Sequence, residues 1–148
     1  MGSEMCIRDS GVSLGTLNHG DRCFGCGPGH PCGLRLAYER AGDRIRARFA
    51  FRPEHEGPPG RAHGGLVALA LDDAMSMPLH SSGTFAVTAR LELDLRAAAP
   101  IGPPLVVEAW VDADEGRRYD LRGELREDDR VLASARAVYV ELEAPSEL

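Results

Sequence analysis

The sixteen residues from Gly60 to Met75, Gly-Arg-Ala-His-Gly-Gly-Leu-Val-Ala-Leu-Ala-Leu-Asp-Asp-Ala-Met, constrain this chain more than any other stretch. From Leu66 to Leu71 there is no charge and no clean amphipathic stripe, so the segment reads as a helix enclosed on most sides. Such a helix needs a sheet or other helices to wrap it. Two carboxylates, Asp72 and Asp73, follow directly, where an ionised side chain is costly unless it is paired or opens onto a cleft. Gly64 and Gly65 precede the apolar run and offer backbone N–H groups without side-chain obstruction, at a helix N-terminus whose dipole favours developing negative charge. A stabiliser for an oxyanion and a base thus sit on one short element.

The flanking sequence supplies the wrapping. Cys23 to Gly33 is rich in Gly and Pro and reads as a loop, followed by a short alternating strand at Leu34, Leu36 and Tyr38 and a turn at Ala41-Gly42-Asp43. Ile45, Ala47, Phe49 and Phe51 then alternate with Arg44, Arg46 and Arg48, a half-buried strand with a cationic outer face. Pro53 to Gly60 must be irregular, because Pro58-Pro59 cannot sit in a paired central strand. The helix is expected over 64–80, closed by Pro78 and then Ser81-Ser82-Gly83. A long strand alternates Phe85, Val87, Ala89, Leu91, Leu93 and Leu95 with polar or small residues, and Ala97 to Pro104 is its turn. Leu105 to Val111, Arg118 to Arg126 and Val131 to Leu142 follow as strands, the last two joined by a turn at Glu127-Asp128-Asp129. Two strands, a helix and four strands form an α+β pattern, one helix on an antiparallel sheet of about six strands.

Length and charge narrow the class. With 148 residues there is one domain, and 17 Lys and Arg against 23 Asp and Glu, with no basic cluster among aromatics, leave no nucleic-acid footprint. No apolar run is long enough to span a membrane and no hydrophobic signal core is visible, so a soluble, cytoplasmic protein is expected. Residues 1–16 lack periodicity and read as a disordered or vector-derived segment, leaving 17–148 as the domain.

The motif around the helix resembles the active-site helix of the hotdog-fold acyl-CoA thioesterases, particularly the phenylacetic-acid-degradation (PaaI-like) branch. In that branch His-Gly-Gly opens the helix and an Asp follows nine positions after the His; here the pair is His63 and Asp72. The resemblance runs from about Cys23 to Leu142 and includes Cys-Phe-Gly-Cys-Gly, the Gly57-Pro58-Pro59-Gly60 loop and the turn at Pro100-Ile101-Gly102. It implies a hotdog fold, in which the sheet wraps one long central helix, and hydrolysis of a thioester to a free acid and coenzyme A. It also implies roles: Asp72 as general base toward water or as nucleophile, and the Gly64 backbone N–H as oxyanion donor from a neighbouring subunit. His63 either polarises the carbonyl or supports the loop. Thr88, sixteen positions beyond Asp72, matches a strand hydroxyl that contributes to the site in several members, although alternation alone makes it an ordinary strand Thr.

Gly57 stands where some members carry Asn or Gln six residues before the His, a departure that neither His55 nor Glu56 can be assumed to repair. Gly65, Arg61 and Arg90 are further substrate-binding candidates, with Arg96, Arg117 and Arg118 as other possible partners for the coenzyme A phosphates. Asp73 lies about 100° further round the helix than Asp72 and reads as a helix-surface or subunit-contact acid. The implied assembly is a homodimer with shared active sites or a homotetramer, and no cofactor is required. An aromatic content of 5%, with Met75 and Met77, leaves the acyl group open between aliphatic and aryl.

Cys23, Cys26, His30 and Cys32 offer the ligand set of a Cys3His zinc site within ten residues. The spacing is cramped and stiffened by Pro28 and Pro31, and the Cys-Phe-Gly-Cys-Gly opening recurs in the resembling enzymes without implying a metal. The expectation is therefore no metal and no disulfide, with reduced cysteines packing the loop near the substrate channel. Two other readings stand beside thioester hydrolysis: a hotdog enoyl-CoA hydratase, whose Asp/His dyad belongs in a loop context not found here, and a non-catalytic acyl-CoA-binding or zinc-stabilised interaction module. Asp72 discriminates, since a pure binder has no need of a buried base.

Overall fold

The structure, a computed structural model, describes residues 11–15 and 17–143, for 11–13 the backbone alone. Its elements are β1 (Gly11–Ser13), β2 (Tyr38–Ala41), β3 (Arg44–Phe49), a 3-10 turn at Pro53–His55, the helix α1 (Gly64–Ser81), β4 (Ala86–Leu95), β5 (Leu105–Asp114), β6 (Arg118–Glu127) and β7 (Arg130–Glu141). The strands form one antiparallel sheet in the order β1-β2-β3-β5-β6-β7-β4. One helix with an antiparallel sheet around it is the α+β hotdog architecture that the resemblance implies. No helix among the described residues is long and apolar enough to cross a membrane.

The enclosure of α1 follows from its sequence. Val67, Ala70, Leu71, Asp73, Ala74, Met75, Met77 and Leu79 are buried, and at about 100° per residue they cover roughly 240° of the helix circumference. Residues of one sheet face meet them: Ile45 and Ala47 of β3, Val107 and Ala109 of β5, Leu121 and Leu125 of β6, and Ala133, Ala135, Ala137 and Tyr139 of β7, all buried. On β7 these are alternate residues, as a strand with one covered face requires.

Four details differ from the sequence reading. Leu34 and Leu36 are buried but are not strand, because Arg35 between them has φ 54° and the segment bonds back to the cysteine loop through Leu34 N to Phe24 O and Leu36 N to Gly25 O. Pro78 lies inside α1 and does not end it; the chain leaves the helix after Ser81, where Ser82 and Thr84 N–H groups bond the Leu79 carbonyl. Burial of Met77 and Leu79 on either side holds the proline turn in place. The arginines of β3 are not a bare cationic face: Arg46 is buried and paired with Glu39 at 2.6 Å, and Arg44 reaches buried Glu108 at 2.7 Å while stacking over Trp110. Finally, Gly11–Ser13 pairs with β2 and adds a seventh strand from within the segment expected to lie outside the fold. Within that segment, residues 1–10 and Thr16 lie outside the described residues.

Candidate active site

The N-terminus of α1 is built by its cap. His63 is the N-cap, extended at φ −60° and ψ 133°, and its Nδ1 accepts the Gly65 N–H at 2.9 Å. The N–H groups of Leu66 and Val67 go to the His63 carbonyl. Gly64 is therefore the residue of the His-Gly-Gly motif whose N–H has no protein acceptor among the described residues. Of the two glycines, Gly64 is the one able to receive an oxyanion, and Gly65 is committed to the cap. His63 positions this turn through its ring.

Asp72 lies two helical turns further on, half-buried. Its Oδ1 accepts two hydroxyls, Thr88 Oγ1–H at 2.8 Å and Tyr139 O–H at 2.7 Å, and the tyrosine oxygen also lies 2.7 Å from the Asp72 carbonyl. Both donors converge on one carboxylate oxygen, so the carboxylate is oriented while Oδ2 has no protein donor among the described residues. Burial, and then the Asp72 carboxylate beside it, push the Tyr139 phenol well above its ordinary range, so the tyrosine stays a donor.

The Thr88 contact exists because β4 is irregular. Thr88 is the Cα partner of Tyr139 and Leu91 that of Ala137, with a register shift between Thr88 and Arg90. Ala89 is the extra residue. Beyond it Leu91, Leu93 and Leu95 align with the inward row Ala137, Ala135 and Ala133, and before it Thr88 takes the inward place that simple alternation gives to Val87 and Ala89. Thr88 is thus not an ordinary outward strand residue. Tyr139, its cross-strand neighbour, was missed by sequence reasoning; its one signal was a polar tip in the inward row of a strand otherwise lined by alanines.

Asp73 is not a helix-surface acid. It is 6% exposed, and its carboxylate accepts Tyr38 O–H at 2.5 Å on Oδ2 and faces Cys23 Sγ at 3.4 Å and His19 Nδ1 at 3.2 Å on Oδ1. The hydrogen bond to Asp73, aided by Cys26 and opposed by burial, raises the His19 pKa to about 11. Burial raises the Cys26 thiol. The helical period does turn Asp73 away from Asp72, but toward the loop that precedes β2 and not toward water. The glycine at 25 is required here: a Cβ on it would stand 2.4 Å from Asp73 Oδ1.

The Cys3His set does not come together. His30 stacks against Phe24 and its Nδ1 accepts the Cys32 N–H, while Cys32 is exposed. The side chains that do gather are those of His19, Cys23, Cys26 and Asp73.

The loop before α1 is braced from within. Buried His55 accepts Arg52 N–H on Nδ1 and bonds the Cys32 carbonyl through Nε2, and its own carbonyl takes the His63 N–H. Glu56 accepts the Gly60 N–H at 2.6 Å, and Gly57 donates to the Arg61 carbonyl. A Cβ at Gly57 would lie 2.8 Å from the His63 Cα, so glycine here lets the loop press on the cap. Arg61 is exposed beside this loop. Arg90 is paired with Glu92 at 2.6 Å and, like its partner Val138, lies on the sheet face turned away from α1, where it lines a surface hollow with Arg122 and Arg136. Within one chain the structure joins Asp72 with Thr88, and His63 with Gly64, Gly65 and Gly57; it joins Arg90 to neither group.

Residues 59–134 match the thioesterase superfamily. Over 109 residues the chain is 30% identical to the acyl-coenzyme A thioesterase THEM4 of Xenopus laevis, an alignment covering 72% of this chain and 49% of that one. The chain spans about half the length of the curated relatives it matches. Among solved structures, a thioesterase superfamily protein superposes with a TM-score of 0.76 at 25% identity, covering 81% of this chain and 60% of the other. A phenylacetic acid degradation-related protein from Ralstonia eutropha superposes with a TM-score of 0.66 at 24% identity, over 72% of this chain and 85% of its own.

Proposed function

The chain belongs to the thioesterase superfamily, and we propose that it is an acyl-CoA thioesterase, hydrolysing an acyl-CoA thioester to the free acid and coenzyme A. The observation that carries this reading is the pair of prepared groups on α1: a carboxylate held through one oxygen by Thr88 and Tyr139, and an N–H at Gly64 without a protein acceptor among the described residues. A binding module has no use for the first. Asp72 Oδ2 takes a proton from water as the oxygen attacks the thioester carbon, or attacks that carbon itself; the carbonyl oxygen becomes negative against the Gly64 N–H, the C–S bond breaks, and the coenzyme leaves as thiolate, the second route leaving an acyl-aspartyl anhydride that water then cleaves to the free acid and the Asp72 carboxylate. Thr88 and Tyr139 are positioning residues for the base. Arg61, exposed beside the helix entrance, is the arginine we assign to the coenzyme phosphates.

Gly64 and Asp72 are eight residues apart, about 12 Å along the axis at about 1.5 Å per residue. One thioester carbon does not reach both. The oxyanion donor and the base must therefore come from different chains, in a homodimer with two shared sites or in a dimer of such dimers. The edge strand β4 supports this: among the described residues it pairs with β7 alone, and Val87, Leu93 and Leu95 on it are 42%, 38% and 52% exposed. The unpaired backbone edge of a ten-residue strand is a template for pairing with another chain.

The test is free-thiol release from a panel of aliphatic and aryl acyl-CoA esters. Wild-type protein should turn over at least one of them, and Asp72→Asn should fold normally with turnover lowered at least about a hundredfold, the scale of a lost general base. No hydrolysis of any ester, or a mild loss in Asp72→Asn, rejects the assignment.

A further inference from the structure

We propose that His19, Cys23, Cys26 and Asp73 form a binding site for one zinc-class divalent ion, which ties the N-terminal loop to α1. The four ligand atoms, one from each side chain, lie within 4.8 Å of one another. Zinc bonds of about 2.0 Å to oxygen, about 2.1 Å to nitrogen and about 2.3 Å to sulfur, set tetrahedrally, give ligand-to-ligand edges of about 3.3 to 3.8 Å. Four of the six edges match this: 3.2 Å from His19 Nδ1 to Asp73 Oδ1, 3.7 Å to Cys23 Sγ and 3.3 Å to Cys26 Sγ, and 3.4 Å from Cys23 Sγ to Asp73 Oδ1. The other two, from Cys26 Sγ to Cys23 Sγ and to Asp73 Oδ1, are within 4.8 Å, so an ion would draw the Cys26 side chain inward.

Hydrogen bonds join these side chains, Cys23 S–H donating to Asp73 Oδ1 among them, but do not require four ligand atoms to share one centre. Ser76 Oγ–H donates to the Asp73 carbonyl at 2.6 Å, so the same oxygen meets His19 Nε2, at 2.9 Å, as an acceptor. Nε2 therefore carries a hydrogen, and in a neutral imidazole Nδ1 is then a bare lone pair. Without an ion, Asp73 keeps a proton on that nitrogen; an ion takes the proton's place, and the lone pair then shares it with a carboxylate oxygen and two sulfurs. A proton on Nδ1 provides one N–H for three partners, whereas a cation at the centre is met by all four atoms at once. Surrounding donors suit a centre of two thiolates, one carboxylate and one neutral imidazole: Tyr38 O–H fixes Asp73 Oδ2, the His19 backbone N–H reaches Cys26 Sγ at 3.2 Å, and the ring Nε2–H is held by Ser76. Two sulfur donors disfavour magnesium and calcium and suit zinc.

The sequence offered a different set. Cys23 and Cys26 are shared with it, but the remaining ligands come from four residues before Cys23 and from the helix, so the ion bridges two elements and does not merely close one loop. The expectation of a metal-free cysteine loop is replaced on this geometry.

Elemental analysis of the full chain, purified tag-free and without chelator under reductant, should find close to one zinc per chain. Cobalt(II) exchanged into the site should give the intense visible bands of a tetrahedral centre and near-ultraviolet thiolate-to-cobalt charge transfer. Cys26→Ser should retain less than about a tenth of the metal, and Cys32→Ser and His30→Ala should retain it in full. Zinc well below one per chain together with no charge-transfer band in the wild type overturns the proposal, as does loss of the ion in Cys32→Ser. If Cys26→Ser does not fold, the wild-type cobalt spectrum and the Cys32→Ser protein decide. None of these readouts depends on thioesterase activity.

Discussion

Asp72 and Asp73 are sequence neighbours with opposite surroundings. Asp72 is half-buried with two neutral hydroxyls on one oxygen, whereas Asp73 is buried among Tyr38, His19 and Cys23. Exchanging each for Asn should therefore fail in different ways. Asp73→Asn removes an acceptor from a buried cluster and should cost about 1–3 kcal/mol of stability, read as a lowered Tm, while the folded fraction keeps turnover far above that of Asp72→Asn. Tyr139→Phe leaves the ring in its buried place and deletes one donor to Asp72. It should lower kcat about tenfold with KM little changed, a split that loss of packing alone would not give. These two roles were unequally legible. The helical run, the Gly64 motif and Asp72 stand together in sequence; the cluster around Asp73 needs His19, which only the folded loop brings to the helix.

At the scale of elements, the single extra residue in β4 brings Thr88 and Leu91 to the same face. Deleting Ala89 should regularise the pairing with β7 and leave Thr88 opposite Tyr139 and Arg90 opposite Val138, so turnover should stay well above that of Thr88→Val while the far-ultraviolet dichroism stays that of the parent sheet. Turnover in the deletion protein as low as that of Thr88→Val would deny Ala89 the role of the extra residue. The case also shows why the sequence was readable for strands and less so for their faces. Five of the six expected strands and the helix follow from periodicity, and the turns at Gly42 and Asp128 fall where they were expected. A bulge leaves no such mark: Phe85 to Leu95 alternates as one strand, yet its two halves present opposite parities to the helix. Arg35 is a similar case, since its left-handed backbone stops a strand that Leu34, Leu36 and Tyr38 would otherwise suggest. Pro78 erred in the other direction, a breaker overruled by the burial of its neighbours.

For the whole molecule, the proposed dimer divides each site between two chains, since Gly64 and Asp72 are separated along one helix. Mixed heterodimers of Asp72→Asn chains with chains carrying a bulky substitution at Gly64 should therefore recover part of the wild-type rate, because one of their two sites keeps both intact groups. Two inactive proteins that stay inactive after dissociation and remixing would refute the shared site. The open edge of β4 carries this further, into how the rate depends on the amount of protein. If a lone chain holds no complete site, dilution below the dimer dissociation constant should make the rate climb with the square of chain concentration, and the apparent turnover per chain should fade as the sample is thinned. A dilution series of initial rates read beside sedimentation at the same concentrations would reveal it; a rate strictly proportional to protein down to the monomer range would mean that one chain is enough.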